Sequence, residues 1–95
     1  MKKWVVYIVE CSDGTLYTGI TNDLFARIAK HNSGSGARYT KGRLPVKLMF
    51  ATRVSSRSEA TKVESRIKRL PKDKKVTCLM RVALFGVKHA LMSGT

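Results

Sequence analysis

The chain is short of cysteine, proline, acidic side chains and long apolar runs, and each shortage removes a class of protein. Its two cysteines, Cys11 and Cys78, are too few for a disulfide framework and lack the paired spacing of a zinc site. Both are therefore expected to be reduced, in a cytoplasmic protein. No stretch reaches the roughly 18 apolar residues of a membrane span, and the longest candidate, 82–92, is broken by Gly86, Lys88 and His89. Glu10, Ser12 and Asp13 interrupt the only early apolar stretch, so no export signal and no membrane partner are expected. Six acidic residues stand against nineteen Lys plus Arg, a formal net charge of +13. Such a balance favours a polyanionic partner, with nucleic acid foremost.

What is present suffices for one modest core. The 95 residues are 43% apolar and include three Tyr, three Phe and one Trp, enough for a single small domain and too much for disorder. Residues 4–10 and 16–20 are rich in Val, Ile and Tyr and are separated by Ser12-Asp13-Gly14, which predicts a β-hairpin. A two-residue Asp13-Gly14 turn would put Tyr7 and Tyr17 on opposite faces; the preferred register, a three-residue loop with Gly14 left-handed, sets Tyr7 opposite Gly19 and Val9 opposite Tyr17. In that register both tyrosines share one face, and Gly19 leaves space beside the Tyr7 ring.

Thr21-Asn22-Asp23 offers caps for a helix over 23–31, and Ser33-Gly34-Ser35-Gly36 reads as a flexible connector. Pro45 closes a basic loop before a third strand over 46–54. Ser56 and Glu59 have capping-box spacing at the head of a helix whose stripe is Ala60, Val63, Ile67 and Leu70, ended by Pro71. A last helix is predicted over 72–92. The order ββαβαα predicts an α/β (α+β) domain with a small three-stranded antiparallel sheet flanked by helices.

Tyr7 and Tyr17 on adjacent strands are joined by Arg27 and His31, one helical turn apart at the border of an apolar stripe, where helix meets sheet. Glu64 sits in a basic helix at the edge of the buried stripe. A single carboxylate there can hold one hard cation such as magnesium, which keeps waters and takes its other ligands from phosphate. The bland alternatives are a core tyrosine pair with a solvated Arg and a surface His, and ordinary charge balancing by Glu64.

Val5-Val6-Tyr7 followed by Tyr17-Thr18-Gly19, with Arg27, His31 and Glu64 in order, resembles the GIY-YIG nuclease superfamily, and most of all its small single-domain bacterial members. The resemblance implies one domain over 1–95, with the core over about 3–75 and a helical extension over about 76–93. It implies a metal-dependent endonuclease in which Glu64 holds Mg²⁺ or Mn²⁺ and Tyr17 helps deprotonate the attacking water. Tyr7 positions water or phosphate, Arg27 stabilises charge on the scissile phosphate, His31 assists proton transfer or orients a tyrosine hydroxyl, and Gly19 is structural. Two departures stand out: Val5-Val6 occupies the place of Gly-Ile, and no Asn follows Glu64.

Further nucleic-acid contacts are expected from Arg38, Tyr39, Lys41 and Arg43 in the loop, with Tyr39 stacking on a base, and from Lys62, Arg66, Lys68, Arg69, Lys74 and Lys75. DNA is favoured over RNA, with little sequence specificity. Leu84, Phe85 and Leu91 offer area for a weak homodimer of an otherwise monomeric chain. Two alternatives keep the same residues: a catalytically silent binding module on the nuclease scaffold, and an adaptor that assembles through its last helix.

Overall fold

In a computed structural model, residues 3–88 are described. The chain runs β1 (Trp4–Glu10), β2 (Leu16–Thr21), α1 (Leu24–Asn32), α2 (Arg38–Lys41), β3 (Lys47–Val54), α3 (Arg57–Lys68) and α4 (Lys72–Phe85). The three strands form one antiparallel sheet in the order β2-β1-β3.

β1 is central, and covering both of its faces explains its near-continuous apolar sequence. Val6, Tyr7, Ile8 and Val9 are all fully buried. Strand alternation sends Val6 and Ile8 to one side, where they meet Ala60, Val63 and Ile67 of α3 and Cys78, Leu79 and Val82 of α4. Tyr7 and Val9 go to the other, against Tyr17, Leu24, Ile28 and Val46. The hairpin has the expected register: Tyr7 pairs with Gly19 and Val9 with Tyr17. Cys11 N–H donates to Thr15 O at 2.8 Å, with Gly14 at φ 84° in the region that favours glycine.

α1 and α3 begin where their caps predict. Asp23 accepts from Ala26 N–H and Ser56 from Glu59 N–H. Glu59 departs from capping-box geometry, since its carboxylate turns back to the N–H and hydroxyl of Ser55, one residue before the cap.

Four expectations are corrected. Residues 38–41 form a short helix, so the order is ββααβαα, with one helix more than the sequence suggests. The 33–36 stretch is no loose connector, because Gly36 is packed against His31. β3 begins at Lys47 and is irregular: Ile8 pairs with Phe50 but Val9 with Leu48, leaving Met49 as the extra residue of a bulge. The last helix stops at Phe85, where Gly86 takes φ 93°, and the remainder of the expected helix from 89 onward lies outside the described residues. Cys78, Leu79 and Val82 of α4 belong to the main core cluster, so the start of the expected extension is core. Both cysteines are free and buried, and burial pushes the Cys78 thiol up. No helix among the described residues is long and apolar enough to cross a membrane.

Candidate active site

The hairpin register places Tyr7 and Tyr17 diagonally on one face, with ring centroids 6.4 Å apart. The Tyr7 ring lies across Gly19. A Cβ at position 19 would stand 2.6 Å from Tyr7 Cζ, so the space left by the absent side chain is filled by the ring itself.

α1 supplies the next two groups, one turn apart. Arg27 Nε donates to the Tyr7 hydroxyl at 3.3 Å, and the His31 Nε2 to Tyr7 hydroxyl distance is 2.7 Å. His31 is fully buried, with its ring edge toward both tyrosines at centroid distances of 5.8 and 5.3 Å. Burial raises the Tyr7 hydroxyl above the usual phenol range, opposed by the Arg27 hydrogen bond and charge, so the resting group is the neutral phenol. The same contact holds Arg27 more firmly protonated. Burial, then the Arg27 charge, lowers His31 and keeps it neutral.

That shift sets a pH dependence. Folded His31 binds its proton more weakly than the unfolded residue, whose ordinary value is 6.5. The unfolded chain therefore holds more protons just below pH 6.5, and acidification favours unfolding. Denaturation midpoints are expected to fall as pH drops below that value, and His31→Gln to give a flatter profile over the same window. Equal slopes for the two proteins would show that His31 is not the group responsible.

Glu64 comes from α3, which packs against the edge strand β2 and against β1. Its side chain is 20% exposed and forms an i,i+4 ion pair with Lys68, Nζ to Oε2 3.5 Å. The Lys68 ammonium also stands 5.7 Å from the Tyr17 ring centroid. No group of three or more His, Cys, Asp or Glu that could cage a metal occurs among the described residues. The donor set nonetheless fits a hard divalent cation. Glu64 offers carboxylate oxygens, its ion-pair partner among the described residues is a half-exposed lysine that can swing into solvent, and magnesium needs few protein ligands when phosphate supplies others.

The remaining expected contacts divide. Tyr39 stacks on Tyr17 at 5.8 Å with rings inclined 29°, and the Arg43 guanidinium lies 4.0 Å from the Tyr39 centroid. Tyr39 is thus held by Tyr17 and Arg43 while remaining 42% exposed. Arg43 is tied to Asp13 at 3.0 Å and to Tyr39 O at 3.2 Å. Thr15, first of all, and then Arg43 hold the Asp13 carboxyl below its usual range. Arg38 and Lys41 are exposed.

On α3, Lys68 faces the site. Lys62, Arg66 and Arg69 lie about 140–200° around the helix from Glu64 at 100° per residue, where with Thr61 and Ser65 they line a shallow groove of about 460 Å³. The basic cluster is therefore two surfaces rather than one. Lys75 caps α3 by donating to Ile67 O at 3.0 Å, and burial lowers its ammonium; Lys74 is exposed.

Two site-building residues escape sequence reasoning. Thr40, fully buried on α2, puts its Oγ1 2.8 Å from His31 Nδ1. Asn32 clamps Val46 with its amide, accepting from N–H at 2.7 Å and donating to O at 3.1 Å, which fixes the end of α1 to the start of β3.

Two tyrosines on paired strands, an Arg and a His on the helix above them and a Glu on the helix at the sheet edge define a catalytic domain of the GIY-YIG type. The family model described as the GIY-YIG catalytic domain matches residues 3–76, and the chain belongs to this nuclease family. It is 48% identical over 79 residues to a UPF0213 protein of Nitratidesulfovibrio vulgaris, covering 83% of this chain and 72% of that one. With a UPF0213 protein of Halobacterium salinarum it shares 53% identity over 70 residues, 74% of this chain and 91% of the other. Two solution NMR structures are similar: the UPF0213 protein BH0048 from Bacillus halodurans (38% identity, TM-score 0.51, 98% of this chain and 99% of that) and protein EF2693 from E. faecalis (36%, 0.61, 88% and 90%). Both support the α+β fold.

Proposed function

We propose that the protein is an endonuclease that hydrolyses phosphodiester bonds in nucleic acid, DNA above RNA, with a single Mg²⁺ or Mn²⁺ held by Glu64. The observation that carries this reading is the convergence of Arg27, Tyr7, Tyr17 and His31 on one face of the sheet, with Glu64 and Lys68 brought to the same tyrosines from α3.

When bound, the ion neutralises charge on the phosphate and the leaving oxygen. The rest falls to the chain. Arg27 gives Nε to Tyr7 and also bonds to Tyr17, and the N–H groups left over can take a phosphate and stabilise the charge of an in-line transition state. Tyr17 is partly exposed whereas Tyr7 is fully buried, so Tyr17 is the tyrosine that a water can reach; as the phenolate it takes the water's proton and becomes the phenol. Arg27 and Lys68 border it and balance the negative charge that gathers there. Tyr7, held between Arg27 and His31, sets the position of Arg27.

Outside the site, Arg38, Lys41 and the groove of Lys62, Arg66 and Arg69 supply phosphate contacts, which orient nucleic acid without reading its sequence. Little sequence specificity is the consequence, and we place the protein in the cytoplasm as a monomer or weak homodimer.

The test uses end-labelled single-stranded, duplex and branched DNA and matching RNA, each with Mg²⁺, Mn²⁺ or chelator, resolved on a denaturing gel. Products that require metal are expected, DNA giving more than RNA. Salt-sensitive binding without cleavage of any substrate would replace this reading with that of a binding module.

A further inference from the structure

Both ring nitrogens of the buried His31 are engaged, one by Tyr7 and the other by Thr40. A neutral imidazole carries one proton, so one nitrogen donates and the other accepts. Thr40 decides which. Its hydroxyl has a single proton, and that proton goes to Ala37 O at 3.0 Å, a group that can only accept. Oγ1 is left with lone pairs alone for the ring, so Nδ1 is the protonated nitrogen and Nε2 presents a bare lone pair to the Tyr7 O–H.

The direction of donation then runs without conflict. Arg27 Nε–H donates to Tyr7, Tyr7 O–H to His31 Nε2, His31 Nδ1–H to Thr40 and Thr40 O–H to Ala37 O. One hydrogen bond favours the opposite tautomer, Ala37 N–H donating to Nδ1, but at 3.4 Å it is long and weak beside the 2.8 Å contact with Thr40. The charged and titratable groups facing the imidazole are Arg27 on its own helix, Tyr7 on β1 and Tyr17 on β2; α2 contributes only the neutral Thr40.

We propose that Thr40 is a positioning residue of the active site: it fixes His31 as the Nδ1–H tautomer, so that Nε2 receives the Tyr7 proton and the Tyr7 oxygen keeps its lone pairs for Arg27. The consequence for turnover rests on the nuclease reading; the tautomer does not. In the opposite tautomer Nε2–H donates to Tyr7, the Tyr7 proton loses its acceptor, and two N–H donors compete for one phenol oxygen. Arg27 would then share that oxygen with a second donor, and the anchor that aims it at phosphate would weaken.

Thr40→Val removes the oxygen at nearly constant volume, Thr40→Ser keeps it, and Thr40→Ala serves should valine fail to fold. Long-range ¹H–¹⁵N NMR reads the two ring nitrogens directly, and comparison with His89→Gln separates the signals of the chain's two histidines. A protonated Nδ1 and bare Nε2 are expected in wild type and in Thr40→Ser, and a majority of Nε2–H in Thr40→Val. Cleavage should fall about 10- to 100-fold in Thr40→Val, the loss typical of groups that orient a functional histidine, with most activity kept by Thr40→Ser. A bare Nδ1 in wild type, or a ring pattern unchanged by Thr40→Val, overturns the proposal. If no variant and no wild type cleaves anything, the nuclease reading fails, and the spectra still decide the role of Thr40.

Discussion

Glu64→Gln is expected to lower metal-dependent cleavage about 10³-fold, the scale at which a single charge-bearing group acts on a phosphoryl transition state, while leaving the fold in place. The substitution keeps the size of the side chain and removes only its charge. The position sits beside the buried stripe of α3 and is itself 20% exposed, so glutamine disturbs no packing. The lost partner, Lys68, is half-exposed and returns to water; an i,i+4 pair on a helix contributes about 0.3–0.5 kcal/mol. Thermal midpoints should therefore barely move. Binding should tighten slightly, because a negative charge leaves a strongly basic surface, and added metal should not restore cleavage. This separates catalysis from binding in one protein: activity collapses while affinity for the same labelled DNA is kept. Cleavage at the wild-type rate by a folded Glu64→Gln would remove Glu64 from the metal site and the mechanism with it.

Legibility in the sequence followed the range of the signal. The hairpin could be registered because strand period and a three-residue turn with Gly14 fix it locally, and pairing Tyr7 with Gly19 then put both tyrosines on one face. Capping residues and the Ala60, Val63, Ile67 stripe located α3 for the same reason. The segment from 33 to 46 was opaque. Its Gly and Ser content resembles a linker, whereas Gly36 is there because His31 leaves no room for a side chain. Nothing periodic links Thr40 to a histidine nine residues earlier, or sets Tyr39 on Tyr17 across the site. The bulge at Met49 is one inserted residue with no compositional mark. At the other end, apolar spacing runs through Gly86, but a left-handed glycine stops α4 all the same. The split of the basic residues of α3 was within reach, since 100° per residue separates Lys68 from Lys62, Arg66 and Arg69; counted along the chain, they look like one patch.

Gly36→Ala carries the largest expected loss of stability combined with loss of function. A Cβ at position 36 would stand 2.6 Å from His31 Nδ1 and 2.7 Å from His31 Cα. Cα belongs to the last turn of α1, which Asn32 bolts to the start of β3 through Val46. Neither atom can yield as the end of a flexible side chain would, so the loop or the helix end must move. Overpacking of this kind costs about 1–3 kcal/mol. Because Nδ1 is also the nitrogen 2.8 Å from Thr40, the displacement that relieves the clash parts that bond and disturbs the hold of His31 on Tyr7. Gly42→Ala is the matched control. It lies just past α2 at φ −94° with nothing within 4 Å of an added Cβ, and should leave stability unchanged or raise it by about 0.4–1 kcal/mol through the unfolded chain. Denaturant midpoints at constant slope measure the first effect, and cleavage of labelled DNA measures the second. If Gly36→Ala matches Gly42→Ala in both, the 33–36 segment is after all free to move, and the site does not depend on its packing against His31.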